Sequence, residues 1–108
     1  MALRNLWSES TAGQPKSHVI NVPTGSKIAY FDSLTVSTHG ADVAADVGIT
    51  IVNNGRTKWG AWLRSAQIYG AHFSDIGDIE LTSNDLTVET TSGGAGVIVS
   101  VAAVVNIR

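Results

Sequence analysis

From residue 17 onward, apolar and polar residues alternate with a period of two. That spacing puts successive side chains on opposite faces of a strand. His18-Val19-Ile20-Asn21-Val22 reads as a short strand, stopped by the turn Pro23-Thr24-Gly25. Over residues 27–37, Ile28, Tyr30, Leu34 and Val36 share one face, and Asp32 falls among them. Asp32 predicts a bulge or strand end that shifts the phase, with a buried, hydrogen-bonded carboxylate as the alternative. Residues 38–46 form a polar loop. Val47, Ile49 and Ile51 then alternate with Gly48, Thr50 and Val52. Asn53-Asn54-Gly55-Arg56 predicts a type I′ hairpin, because Asn-Gly tolerates two successive positive φ angles. The turn joins strands at 47–52 and 57–66. In the second of these, Trp59, Ala61 and Leu63 share one face, and Gly60, Trp62 and Arg64 share the other.

Residues 67–77 hold Gly70 and Gly77 around Ile68, Tyr69 and Phe73 and read as a partly packed loop. Ile79-Glu80-Leu81 is a short strand, Asn84-Asp85 a turn, and Leu86, Val88 and Thr90 alternate again. A Gly-rich turn at 91–96 leads into a long final strand at 97–107. No amphipathic helix follows residue 17. The pattern predicts an all-β fold, an antiparallel β-sandwich or jelly roll of six to eight strands over residues 18–108. An extended N-terminal arm, residues 1–17, precedes it. In the arm, Leu3, Leu6 and Trp7 have spacings of three and four, which mark one helical turn. They are either a frayed end with a stray aromatic or an anchor that docks on a neighbouring subunit or partner.

The final strand has an unusual pair of faces. Val97, Val99, Val101, Ala103, Val105 and Ile107 make one wholly apolar face, which must meet the core. The other face, Ile98, Ser100, Ala102, Val104 and Asn106, is small and mixed, unlike the charged face of a solvated sheet. Two-sided burial accounts for it. The cover is either another part of the same chain, such as residues 67–77, or a second subunit. Trp62 faces away from Trp59, which puts at least one of the two outside the core, and an aromatic of that size on an outer face is a typical interface anchor. Trp62, Ile98, Ala102 and Val104 are therefore candidates for subunit contact, and Leu3, Leu6 and Trp7 for partner binding.

Composition narrows the function. One domain is expected from 108 residues. The charged fraction is only 15%, and Thr, Ser, Asn and Gly fill the surface. Such a surface has few charges to keep copies apart and suits a protein packed among other proteins. The net charge of −2 and the scattered Lys and Arg leave no basic footprint for nucleic acid. With no cysteine, folding needs no oxidising compartment. Neither a signal-peptide core nor an apolar run of membrane-spanning length is present, so a non-membrane protein without a cleaved signal is expected. The histidines His18, His39 and His72 form no metal or catalytic pattern, and there is no nucleophile elbow or P-loop. Gly93-Gly94-Ala95-Gly96 opens a strand, so it lacks the helix N-terminus that holds phosphate. Neither an enzyme nor a cofactor is expected.

The chain resembles small β-sandwich (jelly-roll-like) structural and decoration proteins of tailed bacteriophage virions. The resemblance rests on Val22-Pro23-Thr24-Gly25-Ser26-Lys27 after a short strand, the aromatic-bearing 28–36, the Asn54-Gly55 hairpin, Ile79-Glu80-Leu81 before a turn, and the Val-rich last strand. It implies a virion location and a symmetric homo-oligomer, a trimer favoured, fixed to the major capsid protein or another virion protein. It implies the role of a capsid decoration (cement) protein that stabilises the shell, and it supplies no catalytic residues.

Two other readings come from the residues themselves. A carbohydrate-binding or receptor-binding module of a tail or fibre would use Trp59, Trp62 and Tyr69 as a platform for sugar faces. A Ca²⁺-dependent adhesion domain would use Asp75, Asp78 and Glu80, although turn hydrogen bonds are the simpler role for Asp75 and Asp78.

Overall fold

The alternation folds as it reads. The computed structural model describes residues 2–64 and 70–108. Among them are nine strands and no helix: β1 (Ala2–Glu9), β2 (Lys16–Asn21), β3 (Ile28–His39), β4 (Val47–Asn53), β5 (Arg56–Leu63), β6 (Gly70–Phe73), β7 (Asp78–Glu80), β8 (Asp85–Thr90) and β9 (Ile98–Ile107). All pairings are antiparallel. A five-stranded sheet runs β1-β9-β3-β6, with β7 also paired to β3, and a four-stranded sheet runs β2-β8-β4-β5. The two sheets pack as a sandwich around one core.

The core takes alternate residues from both sheets. Val99, Val101, Val105 and Ile107 of β9 meet Phe31, Leu34 and Val36 of β3, with Ile49, Ile51, Leu86 and Val88 from the facing sheet, all at most 1% exposed. Each fully buried side chain of this kind contributes roughly 1.5–3 kcal/mol. Trp59, Ala61 and Leu63, which share a face as expected, turn that face inward opposite Ile51, Ile49 and Val47. Trp59 also meets Phe73 edge-on, ring centroids 5.1 Å apart at 73°. Asn54 (φ 53°) and Gly55 (φ 72°) form the two-residue turn between β4 and β5.

The strand count exceeds six to eight because both ends of the five-stranded sheet gain a strand. The expected N-terminal arm is largely β1, paired to β9 over eight positions from Ala2 opposite Ile107 to Glu9 opposite Ser100. Spacings of three and four mark a shared face only on a helix. Here the free hydrogen-bonding edge of β9 draws the segment into a strand, which puts Leu6 on the core side and Leu3 and Trp7 on the outer side. Residues 70–73, expected in a loop, form β6 on the other side of β3. The anticipated bulge lies at Asp32, where the β3–β9 register skips between Phe31 and Ser33. It changes which residues are inside. Ala29 and Phe31 are buried before the bulge and Leu34 and Val36 after it, while Tyr30 points outward. Asp32 itself is exposed and accepts a hydrogen bond from Asn106 Nδ2 at 2.7 Å.

Among the buried polar side chains of the described residues, Asn53 and His18 are fully enclosed. Asn53, fully buried at the end of β4, donates from Nδ2 to the carbonyls of Ser83 (3.0 Å) and Asp85 (2.8 Å). Its Oδ1 accepts from the Thr82 amide (2.8 Å) and hydroxyl (3.3 Å). One amide thus pins the connection between β7 and β8 to the hairpin. His18, also fully buried, bonds Thr90 Oγ1 through Nε2 at 2.9 Å, and its Nδ1 has no partner. Burial first, and the Lys16 ammonium second, lower its pKa from 6.5 to about 4.

Asn53→Leu removes the partner of the Thr82 amide and of the Ser83 carbonyl and leaves the Asp85 carbonyl only the Asn54 amide, so urea denaturation should show a loss of about 1–3 kcal/mol. His18 takes up its proton more readily when unfolded than when folded. Its contribution is therefore complete above pH 6.5 and is lost as pH falls from 6.5 toward 4. The expected result is an unfolding midpoint that drops over this window in the wild type and drops less in His18→Gln; identical slopes would contradict the assignment.

Candidate functional site

Direct partners in antiparallel strands project to the same side of a sheet. The β9 register therefore defines the outer face of the five-stranded sheet row by row. Leu3, Asn106 and Tyr30 make one row; Asn5, Val104 and Ser33 the next; Trp7, Ala102 and Thr35 the third. Glu9, Ser100 and Ser37 follow, and Ile98 sits beside His39. The strands hydrogen-bonded to β9 are β1 and β3, in its own sheet. Residues 70–73, one part of the stretch considered as a cover, run at the edge of that sheet instead.

The face is mixed: Leu3 and Trp7 stand on the edge strand β1 on either side of Asn5, next to Val104 and Ala102 of β9, and the neighbouring rows are polar. Trp7 is 67% exposed, Leu3 57% and Tyr30 38%. Ile98, Ala102 and Val104 are half-buried between their neighbours. At one end, Glu9 Oε2 lies 3.0 Å from His39 Nε2 and accepts from the Ser100 hydroxyl at 3.3 Å, tying β1, β9 and β3 together across the surface. Thr35 Oγ1 bonds His72 Nδ1 at 2.8 Å, and the Asp32–Asn106 bond closes the other end. These polar groups satisfy one another, which leaves the Leu3–Trp7–Ala102–Val104 strip as the part with most to gain from being covered.

The structure regroups the residues singled out in the sequence. Leu3 and Trp7, on strand β1, share one face with Ile98, Ala102 and Val104. Leu6 does not belong with them; it points to the opposite side and packs against the core. Trp62 does not belong with Ile98, Ala102 and Val104 either. It lies on β5, in the other sheet, on the far outer surface of the sandwich and 58% exposed. Trp59 and Trp62 do not form the expected sugar platform, because Trp59 faces inward onto Phe73; Tyr69 lies outside the described residues. Asp75, Asp78 and Glu80 do not converge, and no group of three His, Cys, Asp or Glu among the described residues is placed to hold a metal. The sequence signal that was missed is the even spacing of Leu3, Asn5 and Trp7, which reads as a strand face once β9 is recognised as its partner.

No protein-family model matches the chain, and no curated protein sequence matches it. Its fold is similar to a solved structure of the vertex protein P5 of phage PRD1. The TM-score is 0.57 at 9% sequence identity, and the match covers 94% of each chain. The likeness is one of fold.

The two sides of β1 separate stability from surface chemistry. In dilute solution, Leu6→Ser should lower the stability by roughly 1–3 kcal/mol, whereas Leu3→Ser and Trp7→Ser should stay within about 0.5 kcal/mol of wild type. Thermal unfolding of the three variants checks the orientation of the strand.

Proposed function

We propose that this chain is a virion structural protein, a capsid decoration (cement) protein that oligomerises, with a trimer favoured, and binds the major capsid shell to stabilise it. The observation that carries the reading is the outer face of the five-stranded sheet, where Trp7 and Leu3 stand exposed beside Ala102 and Val104. Large exposed apolar side chains grouped on one face support a protein-interaction surface there. The likeness of fold to a phage vertex protein supports a particle component as the setting.

In this reading Ile98, Ala102 and Val104 meet a sister subunit, and Leu3 and Trp7, at the β1 edge of the same face, meet the shell. The function is binding rather than catalysis. Each contact is small, and symmetry multiplies it. Once one subunit of an oligomer is seated, the others bind at high effective concentration, so avidity exceeds any single affinity. The low charged fraction, 15%, fits a protein held among close neighbours.

Deleting residues 1–16 would remove β1 and uncover the edge of β9, so point changes give the cleaner test. By light scattering at micromolar concentration, the wild type should have a mass several-fold above the 11.3 kDa of one chain. Trp7→Glu and Ala102→Glu should weaken association and attachment to particles, with unchanged β-sheet circular dichroism. A wild-type chain that stays monomeric and does not bind particles would overturn the proposal.

A further inference from the structure

The opposite surface of the sandwich carries a second feature. On the outer face of the four-stranded sheet, Gly48 of β4 lies opposite Trp62, and Gly60 of β5 lies opposite Thr50, which in turn pairs with Glu89 of β8. The bare Gly60 position, beside the Trp62 ring seated on Gly48, borders an open groove of about 590 Å³, within the size range of small-molecule sites. Trp62, Thr50, Glu89, Ser17 and Lys16 line it.

The two glycines have different physical reasons. A Cβ at Gly48 would press on the Trp62 ring at 3.2 Å and on the Thr91 methyl at 3.3 Å, so Gly48 seats the indole. At Gly60 the nearest atom to an added Cβ is 3.5 Å away, an ordinary contact, and its φ is not positive. Neither packing nor backbone geometry demands glycine there. A strand-interior glycine costs roughly 0.5–1 kcal/mol relative to alanine and marks a bulge, a bend or the close approach of a ligand or another backbone; the β4–β5 ladder bulges at Lys58, whereas Gly60 pairs regularly with Thr50. The indole is also braced. The Arg64 guanidinium lies 5.7 Å from its ring centroid and is tied to Asp46 at 2.7 Å.

The lining selects a chemical class. A flat, exposed indole stacks on the C–H face of a sugar ring, while a half-buried carboxylate and nearby hydroxyls take up its hydroxyl groups. The Glu89 carboxylate on the groove wall disfavours phosphate, sulfate and carboxylate ligands. The Lys16 ammonium, the cation at the same groove, is engaged by the Glu9 carbonyl at 2.8 Å. The open trough lacks the enclosure that a lipid tail needs. We propose that the Gly48–Gly60 groove beside Trp62 binds a neutral oligosaccharide, which would give the protein a second, carbohydrate-facing surface independent of its assembly face.

The full chain is tested on an array of neutral, sialylated and sulfated oligosaccharides, and the best neutral binder is then titrated by calorimetry. Retention of neutral glycans is expected, with affinity lowered at least tenfold in Trp62→Ala and in Gly60→Val, each checked for a wild-type thermal transition. Trp7→Glu, on the opposite sheet, should keep the per-site affinity, so failure of the assembly reading and failure of this one are distinguishable. No neutral glycan bound, binding confined to anionic glycans, or affinity unchanged in both groove variants would overturn the proposal.

Discussion

Strand β9 is hydrogen-bonded along both edges, to β1 over eight positions and to β3 over ten. One of its faces, Val99, Val101, Ala103, Val105 and Ile107, is at most 3% exposed and forms the floor of the core. The rest of the five-stranded sheet is arranged around that strand. Its length fixes the reach of β3 and β1, and the Asp32 bulge keeps the apolar residues of β3 in phase with it. Its outward residues set the character of the exposed face. A strand that must be apolar on one side and is given small, uncharged residues on the other leaves the sheet with a surface that water covers poorly.

The two outer surfaces of the sandwich differ in kind. On the five-stranded sheet, Leu3, Trp7, Ala102 and Val104 form a strip whose polar surroundings are already paired, through Glu9 with His39 and Ser100 and through Asp32 with Asn106. Such a surface suits a flat protein partner. On the four-stranded sheet, Gly48 seats one braced indole and Gly60 borders a trough that also carries a carboxylate. That shape suits a small polar molecule. A thin sandwich can carry both because its inner faces are fully occupied by the core and its outer faces are free to vary.

Much of the fold was legible in the sequence, because period-two alternation and the Asn54-Gly55 turn are local signals with direct physical causes. The bulge at Asp32 was legible too, as a break in phase, but not which side of it would be inside; Phe31 and Tyr30 exchange roles because the extra residue lies after Phe31. The hardest parts depended on long-range pairing. Nothing within residues 2–9 says that they belong beside residues 100–107, so Leu3, Leu6 and Trp7 read as a helical turn. The site followed the same rule. Ile98, Ala102 and Val104 were found by alternation within one strand, whereas their company with Trp7, and the separation of Trp62 from them, depend on which strands share a sheet. The groove depends on Gly48 and Gly60 lying in adjacent strands, which the hairpin register alone settles.

The central claim is that protein covers the outer face of the five-stranded sheet when the molecule is at work. Hydroxyl-radical footprinting of the dilute chain and of the assembled chain measures this most directly, since it reads each exposed tryptophan separately. The account expects Trp7 and Leu3 to react in the dilute chain and to be protected on assembly, while Trp62 reacts equally in both. Equal reactivity of Trp7 in the two states, or protection of Trp62 in its place, would contradict it.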